Sequence, residues 1–521
     1  MPLKFDPKHI KDPRLFSPLG KDLAPTAGAL LAGVITAAAL ATTRELREAS
    51  GIVYSLVLVL LAAMAGFCLT GDLFNLFVFF ELIAVCGFVL AAYHTESLTA
   101  LRSALSFAIT NSIGAFLVLI AIALLYGRTG TLNLAEIGRK LAAHPGPDRL
   151  VTVALALLVV GFLVKAAVVP FHFWLIDTVT GAPVVLVVIL GGVLDSLGVY
   201  GIVRVYWTVF ASASAGQHAV GAVLVALGAA SALGAGALSL VFSHPRRRLG
   251  FVMVAHTGIV LIGAGCLSAT GIAGSALYAA GDGTVKAALF IGLALLGFDE
   301  PADALRRIPG QVRRRAGVAL LAAGGIATAG LPLFATGLGK AVIEDAASHA
   351  GYPWAAVCIV VAAVLTGAAV LEIALAARGS GNGPGDVCDH PWWLGAVGVA
   401  LLAISAVVAT AGRWASRAAA VFVSTAAYQQ RVLGGPRVAP AVAPHVGLSA
   451  GGAVLDLIAV AGAAVLASGR ARAAGPFMPA TVSAAVRRAA GRAHDGSIGD
   501  SATWAAIGTA AITVVLAVST R

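Results

Sequence analysis

The chain has 521 residues, of which 59% are hydrophobic and only 11% are charged. Soluble proteins carry about 25% charged residues, so this composition excludes an ordinary soluble domain and indicates a polytopic helical membrane protein. The net charge is +11, but arginine-rich loops between membrane helices explain a positive excess, so we expect no nucleic-acid partner.

Apolar runs long enough to cross a bilayer occur at about fourteen places. We place them near 24–43, 52–70, 73–93, 102–126, 150–179, 182–205, 218–242, 250–268, 275–297, 317–345, 354–377, 392–411, 447–468 and 503–519. The predicted fold is therefore an all-α polytopic membrane protein with about fourteen transmembrane helices. We expect it to be a multi-pass protein of the plasma membrane.

Two of these spans, 150–179 and 317–345, are too long for one straight helix, and they contain Pro170 and Pro332. Proline inside a helix removes a backbone hydrogen bond, and broken helices at membrane depth are tolerated where they line a cavity. The two broken spans are five spans apart. Because five is odd, the pattern predicts two five-helix repeats of opposite topology, which is the inverted-repeat arrangement of many transporters.

This pattern predicts a division of the chain into five parts. They are a polar tail (1–23), an N-terminal helix (24–51), a first repeat (52–205), a second, inverted repeat (218–377), and C-terminal helices with Ala/Arg-rich loops (378–521). Within the last part, we expect 412–446 and 469–502 to be loops.

Three charged residues lie inside apolar stretches of these repeats: Glu81, Lys165 and Lys340. A charged side chain at the centre of a membrane helix costs roughly 2.5–3.5 kcal/mol on insertion scales, and such residues mark ion or proton pathways. Lys165 lies beside the first predicted break, and Glu81 is its natural partner in the first repeat. Two plainer alternatives remain: Glu81 lies close enough to the interface to reach water, or Lys165 snorkels to the interface.

Further ionisable residues follow in the same spans. Asp195 lies in the sixth span, where it could pair with Lys165, and His172 and Asp177 follow the first break. Histidine titrates near neutral pH, so His172 is a candidate relay residue, although a histidine near a helix end can also be simply hydrogen-bonded there.

The second repeat carries a corresponding polar set of four residues: His256, Asp282, Lys286 and Lys340. Asp282 and Lys286 are four positions apart and share a helix face, so they form either part of a relay or a simple ion pair. Lys340 has Glu344 four positions further on, which could neutralise it. A series of acids, lysines and a histidine across adjacent membrane helices is the pattern that proton relays need.

No pattern in the sequence predicts a metal or cofactor site. The five cysteines form no C-x-x-C pair, no Cys/His cluster has zinc or iron–sulfur spacing, and there is no flavin or nicotinamide fingerprint. We therefore expect no catalytic residue, metal or cofactor in this chain, and any redox chemistry would belong to another subunit.

Several stretches resemble the antiporter-like subunits shared by respiratory complex I, membrane-bound hydrogenases and Mrp-type cation/proton antiporters. They occur in the family's order and are GDLFNLFVFFEL, VKAAVVPFHFWLIDTVTGAP, LGVYGIVRV, HTGIVLIGAG, VKAALF and GLPLFATGLGK. The stretch LLYGRTGTLNLAEI is most similar to the D subunit of Mrp antiporters.

The resemblance implies roles for individual residues. Glu81 matches the family's glutamate, and Lys165 and Lys340 match the charged residues of the two broken helices. His256 and Lys286 match polar positions of the second half-channel. One position departs from the family: many relatives carry a lysine where this chain has Ser196, beside Asp195, and this departure implies an altered central connection.

The leading functional hypothesis is a proton-translocating subunit of a larger membrane complex. In an Mrp-type assembly the exchanged ion would be Na⁺ or K⁺; in a complex I-like or hydrogenase assembly, pumping would be coupled to electron transfer in other subunits. Whether the assembly is an enzyme therefore stays open. The alternatives are a structural scaffold subunit whose channel is degenerate at Ser196, and a standalone secondary transporter.

Overall fold

A computed structural model describes most of the chain. The described residues are 23–41, 51–144, 148–211, 217–298, 311–379, 393–434, 438–472, 508–510 and 512. The predicted tail, apart from Leu23, lies outside these residues, as do most of the predicted span at 503–519 and all but residues 469–472 of the predicted loop at 469–502. Residues 469–472 belong to a helix, so the loop prediction is wrong there.

The described part of the chain folds into helices, and no strand is found in it. The helices are α1 (Leu23–Ala41), α2 (Gly51–Leu69), α3 (Leu73–Ala91), α4 (Leu98–Thr129), α5 (Leu134–Ala142), α6 (Arg149–Lys165), α7 (Phe173–Gly181), α8 (Val184–Phe210), α9 (Gln217–Val241), α10 (Pro245–Gly265), α11 (Ala269–Leu295), α12 (Gln311–Thr328), α13 (Ala335–His349), α14 (Pro353–Gly379), α15 (Trp393–Ala409), α16 (Gly412–Val423), α17 (Thr425–Leu433) and α18 (Ala450–Arg472). The all-helical class predicted from composition is confirmed.

Among the described residues, eight helices are long and apolar enough to cross a membrane. The number rises to nine if α15 and α16, which meet at an angle of 69°, form one bent span. The eight helices are α2, α3, α4, α8, α9, α10, α14 and α18. The helices that form the two spans with predicted breaks are not among them. A multi-pass membrane fold follows from this set.

Both predicted breaks are present. The first span divides into α6 and α7, with residues 166–172 between them, and the second divides into α12 and α13, with residues 329–334 between them. Pro170 and Pro332 lie in these connecting segments. The prediction from proline and span length is therefore confirmed at both positions.

The centre of the bundle is formed by helices that have little contact with the outside. Helix α10 is entirely buried, and α8 is buried along most of its length. Small residues let α9 and α10 approach closely: a Cβ placed on Gly228 would lie 2.7 Å from the carbonyl oxygen of Gly258. Helix α11 contacts α8, α10, α12 and α13, so its buried polar side chains, such as Asp282 and Lys286, face protein and not lipid.

The outer helices expose large apolar side chains. Leu58 on α2, Phe116 on α4, Val357 on α14 and Val465 on α18 are more than half exposed. Such side chains are stable against lipid tails and unfavourable in water. The periphery of the bundle therefore has the character of a lipid-facing surface.

The prediction of a loop over 412–446 is wrong for the first half of this segment. This segment begins with α16 and α17, and both helices bury small or apolar residues against the bundle, such as Ala419 on α16 and Ala427 on α17. Alanine and arginine both have high helix propensity, so an Ala/Arg-rich composition favours helices in this segment.

Candidate functional site

The first group of charges consists of Glu81 on α3, which is partly exposed, and the buried Lys165 at the end of α6. Lys165 is 1% exposed, and its Nζ has no hydrogen-bond partner among the described residues. The Nζ lies 4.8 Å from the ring centroid of Phe80 and 5.9 Å from that of Phe107, which is within cation–π range. The charge of Glu81 acts on Lys165 electrostatically, without a direct ion pair.

The break after Lys165 is held by hydrogen bonds that replace the lost helical ones. The indole Nε1 of Trp174 donates to the carbonyl oxygen of Val164 at 3.0 Å, and the backbone N–H of Val169 donates to Ser231 Oγ at 3.0 Å. Ala167 adopts a φ of 53°, in the left-handed region that disfavours residues with a side chain. Lys165 is therefore fixed at a helix end whose backbone is supported by neighbouring elements.

The remaining predicted residues of the first break make other contacts. Pro170 follows a cis peptide bond. His172 is buried against the rings of Phe173 and Phe251, with centroid distances of 4.3 and 6.4 Å. Asp177 on α7 lies within electrostatic range of Arg247 at the start of α10. These contacts do not bring His172 or Asp177 into the ionic groups described below.

The second group, which we call the central tetrad, consists of Asp195, His256, Asp282 and Lys286. Lys286 Nζ donates to Asp195 Oδ2 at 2.6 Å and lies 2.6 Å from Asp282 Oδ2. Asp282 Oδ1 lies 2.5 Å from His256 Nδ1. All four residues are at most 2% exposed. The prediction that Asp195 could pair with Lys165 is wrong, because Lys286 holds this carboxylate.

Both ring nitrogens of His256 have polar partners. Its Nδ1 lies 2.5 Å from a carboxylate oxygen of Asp282, and its Nε2 lies 3.1 Å from Thr366 Oγ1 on α14. The Thr366 hydroxyl also lies 2.8 Å from the carbonyl oxygen of Ala362. Two carboxylates thus surround the Lys286 ammonium, and this pairing lowers the cost of burying these groups.

The third group, which we call the Lys340 triad, lies beside the second break. Lys340 Nζ donates to Glu344 Oε1 on the same helix at 3.0 Å and lies 2.7 Å from Asp456 Oδ1 on α18. Lys340 is 1% exposed, Glu344 5% and Asp456 0%. The predicted pairing of Lys340 with Glu344 is thus present, and a second carboxylate joins it.

The second break brings the backbone close to this lysine. Gly330 has a φ of 92°, and a Cβ placed on it would lie 2.6 Å from Lys340 Cε. Thr336 Oγ1 donates to the carbonyl oxygen of Ala327 at 2.7 Å, which satisfies one acceptor freed by the break. Pro332 lies in this segment. Glycine is required here both by the backbone angle and by the lysine stem.

Helix α11 links the central tetrad to the Lys340 triad. It carries Tyr278, Asp282 and Lys286 at intervals of four residues, on one face. The ring of Tyr278 contacts that of His256 at a centroid distance of 5.7 Å, and its backbone packs against Gly339, next to Lys340. Its hydroxyl has no hydrogen-bond partner among the described residues.

Sequence reasoning missed three residues of these groups as site residues. Asp456 gave a signal that was not followed, since an aspartate within an apolar run is the same pattern that identified Glu81. Thr366 and Tyr278 gave no signal, because single hydroxyl residues are common in membrane helices. Among the described residues, no group of three or more His, Cys, Asp or Glu side chains could hold a metal ion.

Comparison with known proteins identifies related sequences and folds. The family model described as "NADH:quinone oxidoreductase/Mrp antiporter, TM" matches residues 70–366. The chain is 29% identical over 330 residues to the D subunit of the Na(+)/H(+) antiporter of Bacillus subtilis, covering 63% of this chain and 66% of that protein. It is 30% identical over 324 residues to the N subunit of the NADH-quinone oxidoreductase of Saccharopolyspora erythraea, covering 60% and 61%.

A solved structure with a similar fold comes from an Mrp complex of Dietzia sp. DQ12-45-1b. Its TM-score is 0.68 at 25% sequence identity, with 79% of this chain and 85% of that chain covered. The matched region spans less than two thirds of the length of each curated relative named above. The tetrad and Lys340 fall within the family match at 70–366, whereas Asp456 lies outside it.

Proposed function

The chain belongs to the NADH:quinone oxidoreductase/Mrp antiporter transmembrane family, and we propose that it translocates protons within a larger complex of the plasma membrane. Its partners are other membrane subunits, as the names of its relatives suggest, with protons and a monovalent cation as the transported species. The antiporter assembly is supported by a relative from a Na(+)/H(+) antiporter and by a structural neighbour from an Mrp complex.

One observation carries this proposal. Ionisable side chains occur in three groups within the helical bundle: the partly exposed Glu81 with the buried Lys165, the buried central tetrad, and the buried Lys340 triad. Each lysine is at most 2% exposed. Intramembrane charges are costly, and serial titratable groups are what a proton pathway requires.

The three groups differ in how strongly they hold a charge. Lys165 is stabilised only by two aromatic rings and the field of Glu81, so it is the group that most readily exchanges a proton. Lys286 is held by two carboxylates at 2.6 Å and passes charge on through shifts in hydrogen bonding. Lys340, also between two carboxylates, is the last acceptor in the series.

The transported cation and the energy source follow from the assembly. In an Mrp-type complex, protons exchange for Na⁺ or K⁺, with no redox chemistry required of this chain. In a complex I-like assembly, which the similarity to an oxidoreductase relative supports, electron transfer in partner subunits drives the same relay. The antiporter assembly is the better supported of the two, because the similar solved Mrp chain matches at 25% identity.

The finer architecture belongs to the same proposal. We infer about fourteen membrane spans in two inverted five-helix repeats, 52–205 and 218–377. The position of a broken span, α6–α7 or α12–α13, as the fourth span of each repeat supports this arrangement.

A scaffold role is the second candidate, favoured by Ser196. Its hydroxyl donates to Asp195 Oδ1 at 3.3 Å, at the position where many relatives carry a lysine. The tetrad would then be a fixed ionic lock that orients α8, α10 and α11, while another subunit carries the protons.

Replacement of Lys165 separates the two candidates. The full set of subunits is expressed in a host that lacks its own antiporters, and Na⁺- or K⁺-induced loss of the pH gradient is followed in everted vesicles. Lys165→Met keeps the buried apolar stem and removes the charge, so we expect exchange to fall to the level of vesicles without the complex. If the assembly is complex I-like, the Lys165→Met variant should instead lose substrate-driven acidification of the vesicles.

The matched control is Lys140→Met on α5. Lys140 is partly exposed, bonds to Glu136 at 3.1 Å, and lies outside the three groups. We expect this variant to transport at the wild-type rate, with both variants present in the assembled complex on a native gel. Wild-type exchange by an assembled Lys165→Met complex would favour the scaffold.

A further inference from the structure

The most distinctive contact in the Lys340 triad comes from a helix outside the family match. Asp456 lies on α18 (Ala450–Arg472), and its Oδ1 is 2.7 Å from Lys340 Nζ. The match with the family model ends at residue 366. A residue from the C-terminal helix thus completes a buried ionic group of the matched region.

The triad contains one ammonium and two carboxylates, and the two carboxylates are held differently. Glu344 is four residues after Lys340 on α13, so the helix fixes its distance. Asp456 comes from α18, so its distance changes if α18 moves relative to α13. Glu344 Oε2 and Asp456 Oδ2 are buried and have no hydrogen-bond partner among the described residues, which leaves Lys340 as the cation that stabilises both acids.

We propose that Asp456 is a positioning residue for proton transfer at Lys340, acting as a counter-ion that moves with α18. This inference rests on the proposed function and deepens it. With Asp456 in contact, the ammonium form of Lys340 is held. When α18 moves away, only Glu344 remains, and Lys340 releases its proton to water and becomes a neutral amine.

A simpler explanation is that Asp456 only anchors α18 to the bundle. Other contacts of α18 already provide this anchoring. Alanines 463 and 467 of α18 pack against Ala329 and Ala368 in a buried cluster. At the other end of α18, Arg470 Nε donates to Glu372 Oε2 at 3.1 Å.

The energetics of burial argue in the same direction. An aspartate inside an apolar helix is costly, and a buried ion pair adds little net stability compared with apolar packing. The position of Asp456 beside Lys340 therefore points to control of the charge on Lys340.

Two substitutions at Asp456 give opposite results for charge control and for packing. Asp456→Asn has nearly the same shape without the charge, and Asp456→Glu keeps the charge on a longer side chain. We expect Asp456→Asn to lower cation/proton exchange by about tenfold or more, equivalent to about 1.4 kcal/mol in the barrier. Asp456→Glu should retain most of the activity. A packing role predicts the reverse order.

The matched control lies on the same helix. Ser468 is partly exposed, and its hydroxyl donates to the carbonyl oxygen of Val465 within the helix, so Ser468→Ala should leave exchange unchanged. Wild-type exchange by Asp456→Asn, or an Asn variant more active than the Glu variant, would overturn the inference.

A cross-link tests movement while keeping Asp456 intact. A Cβ on Gly452 would lie 2.9 Å from Ala341 Cβ, so a shift of about 1 Å brings a Gly452→Cys/Ala341→Cys pair to disulfide geometry. In a background without the native cysteines, we expect oxidation to block exchange and a reductant to restore it. Equal exchange by the oxidised and reduced forms would contradict the proposal that Asp456 is a counter-ion that moves with α18.

Failure of this inference is distinguishable from failure of the proposed function. If Lys165→Met abolishes exchange while Asp456→Asn does not, only the role of Asp456 is wrong. If Lys165→Met leaves exchange intact, the proposed transport function itself is wrong.

Discussion

Removal of Lys286 tests the charge balance of the central tetrad. Lys286→Met eliminates two contacts of 2.6 Å and leaves Asp195 and Asp282 without their shared cation. Breaking a buried ion pair by removing one partner costs about 3–5 kcal/mol. Because two carboxylates are affected, we expect a loss at the upper end of this range.

The structure also predicts which second substitution restores stability. Asp282 still has His256 at 2.5 Å, whereas Asp195 keeps uncharged hydrogen-bond donors: the hydroxyls of Thr257 and Ser196 at 3.3 Å and the backbone N–H of Ser196. Lys286→Met with Asp195→Asn leaves Asp282 paired with His256 and removes the uncompensated charge of Asp195. We therefore expect this double variant to recover most of the lost stability.

The comparison variant is Lys286→Met with Asp282→Asn, which has the same formal charge. It separates His256 from its carboxylate and leaves Asp195 uncompensated, so it should recover little. Thermal unfolding of the purified protein in detergent measures the order of the three variants. Equal rescue by the two aspartate substitutions, or no loss in Lys286→Met, would refute the proposed pairing.

Two further predictions concern hydrogen bonds and pH. Thr366→Val removes the hydroxyl that lies 3.1 Å from His256 Nε2 and should cost about 1–3 kcal/mol in unfolding, because a buried ring nitrogen loses its partner. Thr284→Val, whose hydroxyl bonds within its own helix, is the control for the same melting experiment, and equal losses would contradict a stabilising contact between Thr366 and His256. In the loop before α6, the Arg128 side chain bonded to Asp148 lowers the pKa of that carboxyl. The stabilising contribution of the Arg128–Asp148 pair is therefore present above the ordinary aspartate pKa of about 3.9. It is lost as pH falls through the lower pKa that Asp148 has in the folded state. Because both side chains are partly exposed, Arg128→Gln should cause a small loss at pH 7 that disappears in acid; a loss that persists in acid would contradict this pairing.

The sequence was sufficient to predict the breaks and most of the buried charges. Proline within an overlong apolar run predicted both broken spans, and lysine within such a run predicted Lys165, Lys286 and Lys340. These are local signals: they depend only on the cost of a proline in a helix or a charge in a bilayer.

The partners of these charges could not be predicted in the same way. Asp195 and Lys286 are 91 positions apart in sequence, and their contact depends on how α8 and α11 are rotated and packed. The i,i+4 pairs, such as Asp282 with Lys286, were predictable because one helix fixes both residues. Asp456 was missed because its role depends on where α18 docks on α13 and α14.

The central claim is that one series of buried groups carries protons through this chain. Its most direct test is the initial rate of proton flux in liposomes containing the purified complex, measured for Lys165→Met and for Lys340→Met. These lysines belong to separate ionic groups, yet a single series predicts that either substitution stops flux completely. Wild-type flux in either variant, with normal assembly, would contradict the account.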